Sequence, residues 1–157
     1  MGKGKTNAMR MLDAASIPYG TTEYDTKDGL TDGVSVAEKV GRKTEEVFKT
    51  LVAHGISKQY YVFVIPVDRE LNLKKAAAAA GEKKVEMIPM KSLQQITGYI
   101  KGGCSPIGMK KPFPTLIDGS AKELKTILVS AGQVGKQIEI NPMDLSQVTA
   151  AAFAELT

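Results

Sequence analysis

A glycine-rich segment over residues 97–111 is the part of the sequence best suited to binding another molecule. Four glycines fall within eleven residues: Gly98, Gly102, Gly103 and Gly108. This density, with Pro106 among them, predicts a backbone that turns sharply or lets a second molecule come close. The N–H groups of such a loop can form an anion-binding concavity, although an ordinary glycine-rich surface turn explains the composition equally well. The segment is not a P-loop, because no Gly-Lys-Ser/Thr closes it. It is not a dinucleotide-binding fingerprint either, because its glycine spacing differs and a proline stands where the helix should begin.

Lys49 is the second residue with a capacity for chemistry. It lies between Phe48 and the apolar pair Leu51-Val52, in a segment predicted to be a strand. Strand periodicity allows Lys49 to alternate outward into water while Phe48 faces the core. The functional alternative is that its ammonium group projects into a cleft as a fixed positive charge, because lysine is almost never buried without a partner.

The chain has one histidine, His54, and one cysteine, Cys104, and these counts limit the catalytic classes available. A zinc site needs three or four nitrogen, sulfur or carboxylate ligands, so we expect no metal site and no cofactor. A Ser-His-Asp or Cys-His arrangement would have to use His54, which we expect at a strand end facing solvent. Cys104 could act as a nucleophile, but no neighbouring residue in the sequence is placed to lower its pKa.

The overall composition is that of an ordinary globular protein. The chain has 157 residues, of which 43% are hydrophobic and 24% charged, which predicts one domain over residues 1–157. With no apolar run near about 18 residues and no signal peptide, we expect a soluble, cytoplasmic protein with no membrane contact. The net charge of +4 is compatible with an anionic partner such as nucleic acid.

Sequence patterns predict helices and strands that alternate irregularly. Apolar periodicity and capping residues indicate helices at 7–16, 35–41, 73–80, 90–96 and from Pro142 onward. β-Branched and aromatic runs indicate strands at 19–24, 48–53, 60–67, 84–87, 115–118, 126–130 and 137–140. The run at 60–67 is apolar throughout, which predicts burial on both faces. This order predicts an α+β domain with a mixed sheet, in which the strands from Thr115 onward are antiparallel.

Several of these motifs occur together, in order, in one protein family. The segments are 47–52 (Val-Phe-Lys-Thr-Leu-Val), 73–77, 83–87, the loop 97–111 and 127–132 (Ile-Leu-Val-Ser-Ala-Gly). In this order they resemble the YbaK/EbsC family, single-domain aminoacyl-tRNA deacylases related to the editing domain of bacterial prolyl-tRNA synthetases. The chain is most similar to the branch that hydrolyses Cys-tRNA(Pro). The resemblance implies a mostly antiparallel, barrel-like sheet core surrounded by helices.

The resemblance also implies roles for particular residues. Lys49 corresponds to a lysine in the family's active-site cleft, and Tyr24 and Ser130 correspond to residues that line the pocket. The glycine-rich loop, here Thr97, Gly98, Gly102, Gly103 and Pro106, corresponds to the segment beside the 3′ end of the substrate. The implied partner is the CCA end of an aminoacylated tRNA, with prolyl-tRNA synthetase as a possible second partner and a monomer as the default state. For a cysteinyl ester, the implied mechanism has the substrate thiol attack its own ester carbonyl, leaving as a thiolactone.

Three positions depart from the family pattern. Cys104 replaces an aliphatic residue, Asp32-Gly33 stands where relatives carry an aromatic, and Gln137 stands where some members have an acidic residue. These changes leave open which amino-acid ester is accepted, an alanyl ester being one alternative. They also leave open a tRNA-binding or synthetase-binding module without catalysis, or an enzyme whose loop holds a small phosphorylated ligand.

Overall fold

The computed structural model describes residues 4–157, so the first three residues of the predicted domain lie outside it. The described residues form five α-helices: α1 (Asn7–Ala14), α2 (Gly33–Lys39), α3 (Leu73–Ala80), α4 (Leu93–Thr97) and α5 (Pro142–Thr149). They form eight strands: β1 (Gly20–Glu23), β2 (Phe48–Gly55), β3 (Tyr60–Pro66), β4 (Val85–Met87), β5 (Thr115–Asp118), β6 (Ile127–Ser130), β7 (Lys136–Ile140) and β8 (Ala152–Ala154). This content confirms the predicted α+β class. Within residues 4–157, no helix is both long and apolar enough to span a bilayer.

Side-chain caps fix the start of most helices. The Thr6 hydroxyl accepts the N–H of Met9 at 3.2 Å, which satisfies a backbone group that would otherwise have no partner at the start of α1. Asn72 and Asn141 cap α3 and α5 in the same way. The run Ser35-Val36-Ala37-Glu38 predicts a capping box that begins with Ser35. This prediction is wrong, because the N-cap of α2 is Asp32, three residues earlier, whose carboxylate accepts both the N–H and the hydroxyl of Ser35.

The strands form two sheets. A three-stranded antiparallel sheet has the order β1-β7-β6, and a five-stranded mixed sheet has the order β4-β2-β3-β5-β8. In the larger sheet β3 pairs with β2 antiparallel, but β3 with β5 and β5 with β8 are parallel. A single parallel bridge between Val47 and Leu128 joins the two sheets.

This topology corrects two expectations. The strands of residues 4–157 close no barrel, because the larger sheet ends at β4 and β8 and the smaller one at β1 and β6. The strands after Thr115 are not all antiparallel: β6 and β7 are, whereas β5 joins the other sheet in parallel with β3. Strand β8 carries no strong β pattern in the sequence, and it forms because β5 offers an unpaired edge.

The hydrophobic core lies on both sides of β3. Phe63 and Ile65 face α3, while Val62 and Val64 face the smaller sheet and α1. All four side chains are fully buried, which confirms the prediction for this strand. The central position of β3 makes its neighbour β2, which carries Lys49, a rigid wall for the site described next.

Candidate active-site cleft

A cleft of about 700 Å³ lies where the two sheets meet. Its walls come from β2, the ends of β6 and β7, the loop after β1, the start of α2, and the segment 90–104. Among its lining residues are Tyr24, Asp32, Lys49, Thr50, Lys101, Gly102, Cys104, Ser130 and Gln137. The tertiary structure therefore brings together four of the predicted site residues: Lys49, Tyr24, Gly102 and Ser130.

Lys49 lines the cleft from β2. Its neighbour Phe48 is buried in the core, while the Lys49 side chain is partly exposed, in agreement with the alternation of a strand. The ammonium nitrogen donates to the carbonyl oxygen of Val67 at 3.4 Å. An ammonium group has three donors, so this long bond leaves Lys49 with capacity to bind an acceptor in the cleft.

Ser130 and Gln137 of the smaller sheet, with Tyr24 directly after β1, contribute polar side chains to the cleft. Ser130 on β6 and Gln137 on β7 are directly paired across the antiparallel ladder, so both project from the same face. Thr22 on β1 is the other neighbour of Gln137, and Tyr24 follows it by two residues. The Ser130 hydroxyl accepts the N–H of Gly132 at 3.1 Å, which orients it.

Three side-chain polar atoms of residues 4–157 are buried without a hydrogen-bond partner, and all three belong to residues of this cleft. They are the Tyr24 hydroxyl, the Thr50 hydroxyl and the Gln137 Oε1. A buried polar group without a partner costs about 1–3 kcal/mol, and folded proteins contain few of them. Their concentration in one cleft is typical of a binding site built for a polar ligand.

A loop over residues 24–32 forms the rim of the cleft and is held by one lysine. Lys39 on α2 donates to the carbonyl oxygens of Asp25 and Leu30 at 2.7 and 2.8 Å and to a carboxylate oxygen of Asp28 at 2.7 Å. This ammonium also lies 5.9 Å from the ring centre of Tyr24. The hydrogen bond from Lys39 lowers the pKa of Asp28 and keeps that carboxylate ionised.

The glycine-rich loop enters the cleft only in part. Gly102 lines the cleft, but Gly103 packs against the backbone at Val134, and its N–H donates to Ile100 at 3.0 Å. Thr97 is buried, and its hydroxyl donates to the Leu93 carbonyl oxygen at 2.8 Å.

Two further residues of this loop lie away from the cleft lining. Gly98 ends α4 in a left-handed conformation, with φ of 89°, and Pro106 lines a separate hollow beside Phe113. The structure thus gives Thr97, Gly98, Gly103 and Pro106 positions that shape the loop, and their predicted contact with a substrate remains a prediction.

Cys104 lines the cleft, whereas His54 lies outside it. Burial raises the pKa of the Cys104 thiol to about 11, so the group is protonated at neutral pH and is a poor nucleophile. His54 lies at the far end of β2, with its Nε2 4.0 Å from Glu86 and outside the cleft lining. Within residues 4–157, no three His, Cys, Asp or Glu residues group together as potential metal ligands.

Sequence reasoning missed Thr50 as a cleft residue and treated Asp32 and Gln137 only as departures. Thr50 follows Lys49 directly, and a polar residue within an apolar strand was the signal that could have indicated it. Asp32 lines the cleft and also caps α2, and its hydrogen bonds with Ser35 lower the pKa of its carboxyl. Nothing local in the sequence indicated Thr31, whereas Lys101 lies within the glycine-rich segment 97–111, where its positive charge favours an anionic ligand.

Comparison with known proteins identifies the family. The family model for the aminoacyl-tRNA editing domain matches residues 30–148, which is most of the chain and contains β2, the glycine-rich loop and both strands of the Ser130–Gln137 pair. The chain belongs to the aminoacyl-tRNA editing domain family. This result confirms the family predicted from the sequence motifs.

One curated relative of this editing domain covers almost its whole length. It is a protein of Enterococcus faecalis, provisionally named Cys-tRNA(Pro)/Cys-tRNA(Cys) deacylase EbsC. The two chains are 48% identical over 153 residues, which is 98% of this chain and 93% of the relative. The predicted class of activity, deacylation of aminoacyl-tRNA, agrees with this similarity.

Solved structures share the fold of the editing domain at low sequence identity. A protein described provisionally as a trans-editing enzyme for prolyl tRNA synthetase superposes with a TM-score of 0.83, at 22% identity and covering 98% of both chains. A second crystal structure, of a protein without assigned function, gives a TM-score of 0.88 at 21% identity, covering 96% of this chain and 99% of the other. These similarities confirm the fold of the editing domain.

Proposed function

We propose that the protein is a free-standing deacylase that acts in trans on mischarged aminoacyl-tRNA, with a cysteinyl ester on tRNA(Pro) as its preferred substrate. The observation that carries the proposal is the cleft in which Lys49 lies with Tyr24, Gly102 and Ser130. The preference for a cysteinyl ester rests on the 48% identity to the relative named for Cys-tRNA(Pro) and Cys-tRNA(Cys).

The ester of an aminoacyl-tRNA is already activated, so the protein needs to position it and stabilise charge rather than supply a strong nucleophile. Negative charge develops on the carbonyl oxygen as the tetrahedral intermediate forms. We assign the Lys49 ammonium, with the N–H of Gly102, to stabilise that oxyanion or to hold the terminal phosphate. A well-placed donor of this kind contributes a factor of roughly 10²–10³ in rate.

A cysteinyl substrate can supply its own nucleophile. Its sulfur attacks the ester carbonyl carbon, the bond from that carbon to the 3′ oxygen breaks, and the thiol proton passes to the released oxygen, so that a thiolactone leaves. The alternative is attack by water, which releases free cysteine. The protonated state of Cys104 supports either route over covalent catalysis by the protein.

The tRNA would be contacted mainly at its CCA end. A net charge of +4 supports a few phosphate contacts rather than a broad tRNA interface, so binding should weaken as salt rises. Selectivity for one tRNA would then come from a partner such as prolyl-tRNA synthetase, with this protein acting as a monomer in the cytoplasm.

The deciding experiment measures deacylation of Cys-tRNA(Pro), Cys-tRNA(Cys), Ala-tRNA(Pro) and Pro-tRNA(Pro) by the wild type and by Lys49→Ala. We expect rapid loss of the cysteinyl esters, no loss of the prolyl ester, and no activity in the variant. Analysis of the released product separates thiolactone from cysteine. An exposed lysine outside the cleft, Lys84, provides the control variant Lys84→Ala.

The other outcomes assign different functions. Preferential loss of the alanyl ester would replace cysteine by alanine as the substrate. Survival of all four esters with the wild type would contradict deacylation, and tRNA binding measured in the same samples would then separate a binding module from an enzyme of small phosphorylated ligands. An active Lys49→Ala enzyme would remove the role assigned to Lys49.

A further inference from the structure

Gln137 combines deep burial with an unused polar atom. Only 6% of the residue is exposed, and its Oε1 has no hydrogen-bond partner. Burial of an amide oxygen without a donor is unfavourable, so stability alone would favour an apolar side chain of similar size at this position. The presence of an amide at this position therefore points to a partner that is not part of the protein.

The position of Gln137 points to the cleft as the source of that partner. Its backbone is held between β1 and β6, and its side chain lines the cleft beside Ser130. Because the side chain lines the cleft and Oε1 makes no bond within residues 4–157, this oxygen can accept a hydrogen bond from a ligand that enters the cleft. An amide oxygen accepts hydrogen bonds and cannot donate, so the partner must bring an N–H or O–H group.

An aminoacyl ester brings one strong donor close to its reacting carbon, the α-ammonium group. This cation needs an acceptor in place of water when it enters a cleft, and Lys49 and Lys101 repel it from their part of the lining. The Asp32 carboxylate also lines the cleft, but it is exposed and both of its oxygens already accept bonds from Ser35. Tyr24 and Thr50 also bring unpartnered hydroxyls to the cleft, but a hydroxyl can equally donate, whereas the unpartnered Oε1 of Gln137 can only accept.

We propose that Gln137 Oε1 accepts a hydrogen bond from the α-ammonium group of the bound ester, which makes the cleft selective for substrates with a free α-amino group. The inference rests on the proposed deacylase function and adds to it a specificity-determining residue. It applies to every aminoacyl ester, whatever its side chain.

The test uses two hydrolysis-resistant probes, 3′-alanylamino-3′-deoxyadenosine and its propionylamino counterpart, which differ only in the α-amino group. Binding is followed by NMR titration of the wild type, Gln137→Met and the control Gln147→Met, since Gln147 is exposed on α5. We expect the wild type and the control to bind the amino-bearing probe at least ~10-fold more tightly, as is typical of a hydrogen bond to a charged group. Gln137→Met should lose this preference without weaker binding of the propionyl probe.

A second variant keeps the inference testable if Gln137→Met does not fold. Gln137→Glu places a stronger acceptor at the same point and should increase the preference for the amino-bearing probe. Equal weakening of both probes by Gln137→Met, no preference in the wild type, or no increase with glutamate would each overturn the inference. Deacylation measured in parallel separates the two claims: activity without an amino preference rejects the Gln137 role alone, and absence of activity on every ester rejects the proposed function.

Discussion

The ammonium nitrogen of Lys49 lies 3.4 Å from the carbonyl oxygen of Val67. Val67 follows β3 directly, and it also packs against the first residue of α2, because a Cβ on Gly33 would fall 2.4 Å from its side chain. Lys49 therefore reaches from one wall of the cleft to the point where β3 and α2 meet. One long bond orients the ammonium without consuming its capacity to bind a substrate.

Replacement of Lys49 by methionine keeps most of the side-chain volume and removes the charge. We expect Lys49→Met to lower kcat for the cysteinyl ester by roughly 10²–10³ while thermal stability changes little. Lys101 lines the same cleft but is exposed, so Lys101→Met should raise KM and flatten the salt dependence of tRNA binding with kcat unchanged. Steady-state kinetics at several salt concentrations measure both effects, and equal loss of kcat in the two variants would contradict the separate roles.

Lys39 holds the loop over residues 24–32 through three hydrogen bonds. Lys39→Met removes all three, so we expect the amides of this loop to exchange with deuterium about tenfold faster or more and the KM of the substrate to rise. The matched control is Lys27→Met, since Lys27 is exposed in the same loop. Unchanged exchange in Lys39→Met would show that the loop is held by other contacts.

Gly103 lies so close to residues 133–134 that a side chain does not fit. A Cβ at this position would be 2.9 Å from the backbone nitrogen of Val134. We expect Gly103→Ala to lower the free energy of unfolding by about 1–3 kcal/mol, the usual cost of overpacking. Gly119 is the control, because its nearest neighbour would be 3.7 Å away. Gly119→Ala should leave stability unchanged or raise it by up to about 1 kcal/mol, and chemical denaturation of both variants measures the difference.

We expect the free energy of unfolding to fall at high pH because of the buried Cys104 thiol. Burial raises its pKa from 9.0 to about 11, so the folded protein holds this proton more tightly than the unfolded chain does. The corresponding stability is fully present below pH 9.0 and is lost as pH rises toward about 11. Thermal unfolding should show the melting temperature of the wild type falling faster over this range than that of Cys104→Ala.

The raised pKa of the Cys104 thiol should also make this residue unreactive at neutral pH. At pH 7.5 the Cys104 thiol should react with iodoacetamide far more slowly than free cysteine, and Cys104→Ala should keep its deacylation activity. Loss of activity together with fast labelling at neutral pH would instead favour a nucleophilic cysteine.

Local features of the sequence predicted much of the secondary structure. Thr6 and Asn141 are residue types that cap helices, and in the structure they cap α1 and α5. The apolar run at 60–67 is a strand buried on both faces. These features depend on residues that are close together in the chain, which is why pattern reasoning finds them. The family motifs likewise indicated Lys49, Tyr24, Gly102 and Ser130, which the structure brings to one cleft.

The sequence by itself determined the element types, the family and the strand lysine, because these follow from local composition and ordered motifs. Only the tertiary structure decided which strands pair, since β5 could join β6 or β3 and the choice depends on contacts between distant segments. That choice separates the two sheets and opens the cleft between them. It also places Gln137 beside Ser130 and leaves its buried oxygen without a partner, a relationship that no run of neighbouring residues encodes.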